Sequence, residues 1–193
     1  FPTRRASDLL LSEYSTWVGQ HKGLYNAYLS LKNSPEFSTY SVAQKKAIEN
    51  ALRDFELSGI GLSEEKQKRY GEIVARLSEL SSQFSNNVLD ATMGWEKVIE
   101  DESELAGLPE SALLAAKQSA ESKGLKGYRF TLEIPSYLPI MTYCENAALR
   151  EQMYRAYATR ASDQGPNAGK WDNTAIIEEI MTLRVELADR KSV

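Results

Sequence analysis

Between Tyr70 and Leu89 the residues Tyr70, Ile73, Val74, Leu77, Leu80, Phe84, Val88 and Leu89 fall on one helical stripe. The spacing predicts a helix of about seven turns. Ser63 stands where its N-cap belongs, and Glu64 and Glu65 suit its positive end. A regular seam of that length must be covered by neighbouring helices, which points to a mainly α, multi-helix array.

The flanking segments agree. From Leu10 to Leu31 the residues Leu10, Tyr14, Trp17, Val18, Leu24, Tyr25, Tyr28 and Leu29 step by three or four, and His21 continues the series. His21 therefore reads as a core-edge histidine with a satisfied hydrogen bond, against the sharper alternative of a ligand or proton carrier. "KNSPEFSTYS" breaks the pattern with Pro35 and turn formers. Ser41 and Gln44 have capping-box spacing ahead of the stripe Ala47, Ile48, Ala51, Leu52 and Phe55. Gly59 then suits a helix C-terminus, where a left-handed residue is needed.

From about Ala91 the period changes. Trp95 to Ile99 can form a short strand, and Pro109 opens a compact helix that ends at Gly124. In "GYRFTLEIP" Tyr128, Phe130, Leu132 and Ile134 alternate with Arg129, Thr131 and Glu133. Strands are expected over Trp95–Ile99 and Tyr128–Ile134, paired as one short two-stranded ribbon that must lie against helices to persist. After "PSYLP" a helix is expected from Asn146 to Ala161, then the loop "SDQGPNAGKWDN". A last helix follows, capped by Asn173 or Thr174. In that loop Trp171 is a candidate for substrate contact, although a residue packed beneath a surface connector is the simpler expectation.

Charge and cysteine usage remove several function classes. The net charge is -4 and the basic residues are scattered, so nucleic acid is not an expected partner. Apolar runs fall far short of the roughly 20 residues a membrane helix needs, so no membrane contact is expected. The start lacks the apolar region of a signal peptide. There is one cysteine, Cys144, and one histidine, His21. A single cysteine fits a reducing, cytoplasmic setting, and it reads as a small buried apolar residue. A zinc site needs several clustered ligands, and a nucleophile triad needs a histidine aligned with its nucleophile. No catalytic, cofactor-binding or metal-binding residue is therefore assigned in this chain.

Several stretches carry a resemblance. "LAGLP" supplies Leu105, Gly107, Leu108 and Pro109; the alternating segment ends in Pro135, Tyr137 and Pro139; and Arg150, Tyr154, Tyr157 and Arg160 follow. This pattern resembles the thimet oligopeptidase and neurolysin family of zinc metallopeptidases. "LSEYSTWVGQH", "QKKAIENALRDFELSGIGL", "QFSNNVLDATMGW" and "TRASDQGPNAGKWDN" are similar to segments of its bacterial oligopeptidase A branch. The resemblance covers nearly all of the chain between Leu10 and Ala188.

It implies a large, two-lobed, mainly helical peptidase around a deep channel. Zinc would be bound by an H-E-x-x-H motif, with the glutamate as general base. A chain with one histidine cannot contain that motif. The resemblance thus implies a segment of the non-catalytic, N-terminal half that builds part of the substrate channel. Its expected partners are short peptides and the missing catalytic half, and zinc is the cofactor of the parent enzyme and not of this segment. The competing expectation is a free-standing helical adaptor or binding module. A cysteine hydrolase built on Cys144 and His21 is a remote third.

The two ends read differently from the interior. "FPTRRASDL" matches a frame-shifted translation of a sequencing-library adapter, apart from Ala6, and "ADRKSV" matches its reverse complement. Residues 1–9 and 189–193 are therefore expected to be adapter-derived, with 10–188 as the native helical segment. The last helix should then lack part of the cover over Ile176, Ile177, Ile180, Leu183 and Leu187.

Overall fold

A computed structural model describes residues 4–191. Among them are eight α-helices and one two-stranded antiparallel sheet, in the order α1 (Arg4–Gly19), α2 (Lys22–Lys32), α3 (Val42–Leu57), α4 (Glu64–Met93), β1 (Glu96–Ile99), α5 (Glu110–Glu121), β2 (Tyr128–Thr131), α6 (Ile134–Tyr143), α7 (Ala147–Ala158) and α8 (Thr174–Lys191). Short 3-10 turns occupy Pro35–Thr39 and Glu102–Leu105. The chain divides into two compact units. One comprises the chain through Ser82 together with Glu178 onward, and the other is Gln83–Ile177.

In the first unit the stripe from Leu10 to Leu31 is two helices. The break falls at Gln20 and His21. His21 is extended (φ -80, ψ 98), and its side chain accepts from the Leu24 N–H as the N-cap of α2. The ring is spent on a helix end, and its edge meets Trp17 at 5.1 Å between centroids. α2 packs on α3, with Tyr25 and Tyr28 each 5.9 Å from the Phe55 ring. The capping box of Ser41 and Gln44 is present. Gly59 takes φ +84 in the turn that follows α3. Gln67 pins that turn by donating to the carbonyls of Gly59 and Ile60, both at 3.1 Å.

α4 runs 30 residues and buries Ile73 and Leu80. Two Arg–Glu clamps bind it to α8. Arg69 forks onto Glu186 with both bonds at 2.9 Å, and Arg76 forks onto Glu179 at 2.6 and 2.8 Å. The donors lie one heptad apart on α4 and the acceptors one heptad apart on α8, so one geometry repeats along the seam. Each arginine is also bonded to the glutamate three residues on, Glu72 or Glu79.

The bond from Arg76 holds the Glu179 carboxyl below its ordinary value. A group depressed in the folded state contributes stability above its unfolded value of about 4.3, and that contribution disappears as pH falls through the folded value. We expect the thermal midpoint to fall on acidification below about pH 4.5, and Glu179→Gln to flatten that limb. The shift should be small, because both side chains of this pair are 41% exposed. Melting curves of the two proteins from pH 7 to pH 3 check it, and identical acid limbs would remove the clamp from the account.

In the second unit Ile99, Leu105, Ala116, Phe130, Ile140, Cys144, Leu149 and Met153 form a buried cluster. The ribbon pairs Glu96 with Thr131, Lys97 with Phe130, Val98 with Arg129 and Ile99 with Tyr128. It lies against α5 and α6, as two strands alone require. Both strands are shorter than the periodicity predicts: Trp95 precedes the first, and the second ends at Thr131. The reason is α6. Glu133 is its N-cap, Pro135 sits in its first turn and Pro139 lies inside it. Two prolines masked this helix in the sequence, although burial of Ile140 holds it in place. At the loop's end Asn173, 2% exposed, donates to the Phe84 carbonyl at 3.2 Å and accepts from Asn87 at 2.8 Å.

The last helix lacks cover on part of its apolar surface, with Ile177 exposed and Ile180 and Leu187 half-buried. Ile176 and Leu183 are buried, whereas Ile177, Met181 and Val185 are exposed, so α8 is apolar on two faces. α1 begins at Arg4 and α8 continues to Lys191, into both segments expected to be adapter-derived. Arginine, alanine and lysine are good helix formers and do not stop a helix already nucleated. Residues 1–3 and 192–193 of those tails lie outside the described residues. No helix among the described residues is long and apolar enough to cross a membrane.

Candidate functional site

The lone cysteine and the lone histidine each make a structural contact. Cys144 is 3% exposed in the core of the second unit, and its Sγ lies 3.7 Å from the Glu104 carbonyl oxygen. His21 belongs to the first unit, where its Nδ1 accepts from Leu24 N at 3.2 Å. Among the described residues, no group of three or more His, Cys, Asp or Glu side chains could hold a metal ion.

The residues carrying the family resemblance form structural joints. Leu105 is buried, and Pro109 is the N-cap of α5. Tyr137 on α6 stacks on Tyr157 of α7 at 4.2 Å, and the Arg160 guanidinium lies 3.7 Å from the same Tyr157 ring. Arg160 also donates to Thr92 Oγ1 at 2.7 Å and to the Tyr157 carbonyl at 2.9 Å. Burial, followed by the neighbouring tyrosines, pushes the Tyr137 hydroxyl above its ordinary value. Arg150 donates to the Cys144 carbonyl at the start of α7. Tyr154 remains exposed.

The loop before α8 is ordered from within. Gly169 N donates to the Ser162 carbonyl at 3.0 Å, and Asn173 N donates to the Ala161 carbonyl at 3.0 Å. Trp171 is half-buried and packs against Gly94, where any side chain would strike its ring; Lys170 lies 4.2 Å from that ring. Trp171 is thus a packing residue beneath the connector.

The other end of the loop closes a groove that the linear sequence did not reveal. Trp95, Glu96 and Lys97 form its floor, Gln152, Arg155 and Thr159 one wall, and Gln164, Gly165 and Pro166 the other. It encloses about 550 Å³. Gln152 and Arg155 on α7 and its C-cap Thr159 stand at i, i+3 and i+7, a polar face that spacing alone could have marked. The floor comes from a segment far away in sequence, whereas the second wall begins five residues after Thr159.

Comparison with known proteins adds a second line of information. A profile of the neurolysin/thimet oligopeptidase N-terminal domain matches residues 9–67. Oligopeptidase A of Haemophilus influenzae is 88% identical over 179 residues, which is 93% of this chain and 26% of that protein. Oligopeptidase A of Escherichia coli is 72% identical over the same shares. A probable cytosolic oligopeptidase A of Arabidopsis thaliana is 43% identical over 89% of this chain and 25% of that protein. The chain therefore spans about a quarter of the length of these relatives.

Proposed function

We propose, because this chain belongs to the neurolysin/thimet oligopeptidase family, that it is a non-catalytic segment of a zinc-dependent oligopeptidase that hydrolyses short peptides. The observation that carries this is 88% identity to an oligopeptidase A sustained across 93% of the chain. The residues present do not fit a zinc site. The one histidine caps α2, the one cysteine is buried on a carbonyl, and no candidate ligand cluster occurs among the described residues. On this proposal the metal and its general base come from the remaining part of the polypeptide. This segment supplies wall and framework to the channel through which peptides reach them. The single buried cysteine and the similarity to a protein named as cytosolic support a cytoplasmic setting.

A chimera tests the proposal. The matching 179 residues of Haemophilus influenzae oligopeptidase A are replaced by the corresponding stretch of this chain. The chimera is expected to cleave short peptides within a few-fold of the parental rate. A folded chimera without peptidase activity would refute the assignment.

A further inference from the structure

We propose that the groove formed by Trp95, Lys97, Gln152, Arg155, Thr159 and Gln164 binds the carboxylate-bearing part of a short peptide. This rests on the oligopeptidase reading for the class of ligand; the site itself is argued from its side chains.

Two cations line the groove, Lys97 and Arg155, and among the described residues neither side chain has an ion-pair or hydrogen-bond partner. The one acidic lining residue, Glu96, accepts from Arg129 Nε at 2.7 Å, so its charge is already met. The groove therefore presents unmatched positive charge to a ligand. An arginine fork matches a carboxylate in two parallel bonds, and a lysine adds a point charge beside it.

The remaining lining suits a peptide rather than a bare anion. The side-chain amides of Gln152 and Gln164 are likewise without partners among the described residues. A primary amide donates and accepts, which is what a peptide bond needs in return. Trp95 is half-buried against the hydrophobic cluster, so its indole is a fixed apolar floor for a side chain.

The walls are held before any ligand arrives. Thr159 Oγ1 donates to the Arg155 carbonyl at 2.6 Å. Gly165 takes φ +80, and a Cβ there would run into the Thr159 side chain, so only glycine lets the loop close on α7. Gln164 N donates to Ser162 Oγ at 3.2 Å. Binding then costs little ordering of the loop.

The carboxylate could be the peptide's C-terminus or an acidic side chain, and four probe peptides separate them: free acid against C-terminal amide, and internal Glu against Gln. The protein is the full-length chimera described above, carrying Lys97→Gln together with Arg155→Gln. KM for the carboxylate-bearing form is expected to rise about three- to tenfold, with little change for its neutral counterpart. Lys170→Gln, a cation of the same loop outside the groove, should leave KM unaltered. The form whose KM moves identifies the source of the carboxylate. Equal KM for all four peptides before and after the double substitution would overturn the site.

If the chimera cleaves nothing, the oligopeptidase assignment falls, and calorimetric binding of the same peptides decides the groove separately. Affinity for the free acid that drops in the double variant supports it, and no binding, or unchanged binding, removes it.

Discussion

Incubated alone with zinc and a quenched short peptide, the 193-residue chain is expected to leave the peptide intact. The cause is a shortage of ligands in the right places. Catalytic zinc needs three protein ligands around an open position, held on rigid elements. Here the single imidazole has its Nδ1 engaged by Leu24 N, and the single thiol is 3% exposed. Carboxylates are plentiful, but among the described residues no three His, Cys, Asp or Glu side chains group as metal ligands, and Glu179 and Glu186 are forked onto arginines. The contrast with the chimera should be the whole catalytic effect, at least about 10⁶-fold for an enzyme. The check is hydrolysis followed through successive chromatographic steps. Cleavage that travels with the protein and is abolished by chelation would place the active site in this chain.

The second large effect is on stability. Phe130→Ala is expected to cost about 3–5 kcal/mol, the range for truncating a buried aromatic residue. Against a typical stability of about 5–15 kcal/mol, that is enough to unfold a marginal unit. Phe130 is 2% exposed and stands at the centre of the cluster that joins the ribbon to α5, α6 and α7. Its ring is what covers the inner face of a two-stranded sheet that cannot persist by itself. Tyr154→Ala, at an exposed position of α7, should change stability by no more than about 0.5 kcal/mol. Urea denaturation of both variants gives the comparison. A loss below about 1 kcal/mol for Phe130→Ala would mean the cluster is not the core it is described to be.

Local signals in the sequence were reliable wherever the physics was local. The capping box at Ser41 and Gln44, the long stripe of α4 and the two places where the period drops toward two all lie within a few residues of their cause. The packing role expected for Trp171 was legible too, from a loop rich in glycine beside a large ring. Errors arose where a neighbour far along the chain decided the outcome. Pro135 and Pro139 argue against a helix, yet α6 forms because Ile140 is buried and Tyr137 half-buried against other elements. His21 is the core-edge histidine with a satisfied hydrogen bond that its place in the series suggests; only the fold shows that this bond caps α2, because the chain turns at Gln20. In the last helix only the packing shows which of Ile176 and Ile177 is covered.

The family, the helical class and the single ribbon were determined by the sequence itself. Each rests on spacing or on residue identity, which a chain carries without folding. The inventory of one histidine and one cysteine belongs with them. Tertiary structure alone decided the pairing of Arg69 with Glu186 and of Arg76 with Glu179, partners separated by more than 100 positions. It alone joined Lys97 and Arg155 in one groove. Charges attract according to distance in space, and their separation along the chain says nothing of it until α7, β1 and the loop before α8 have been packed together.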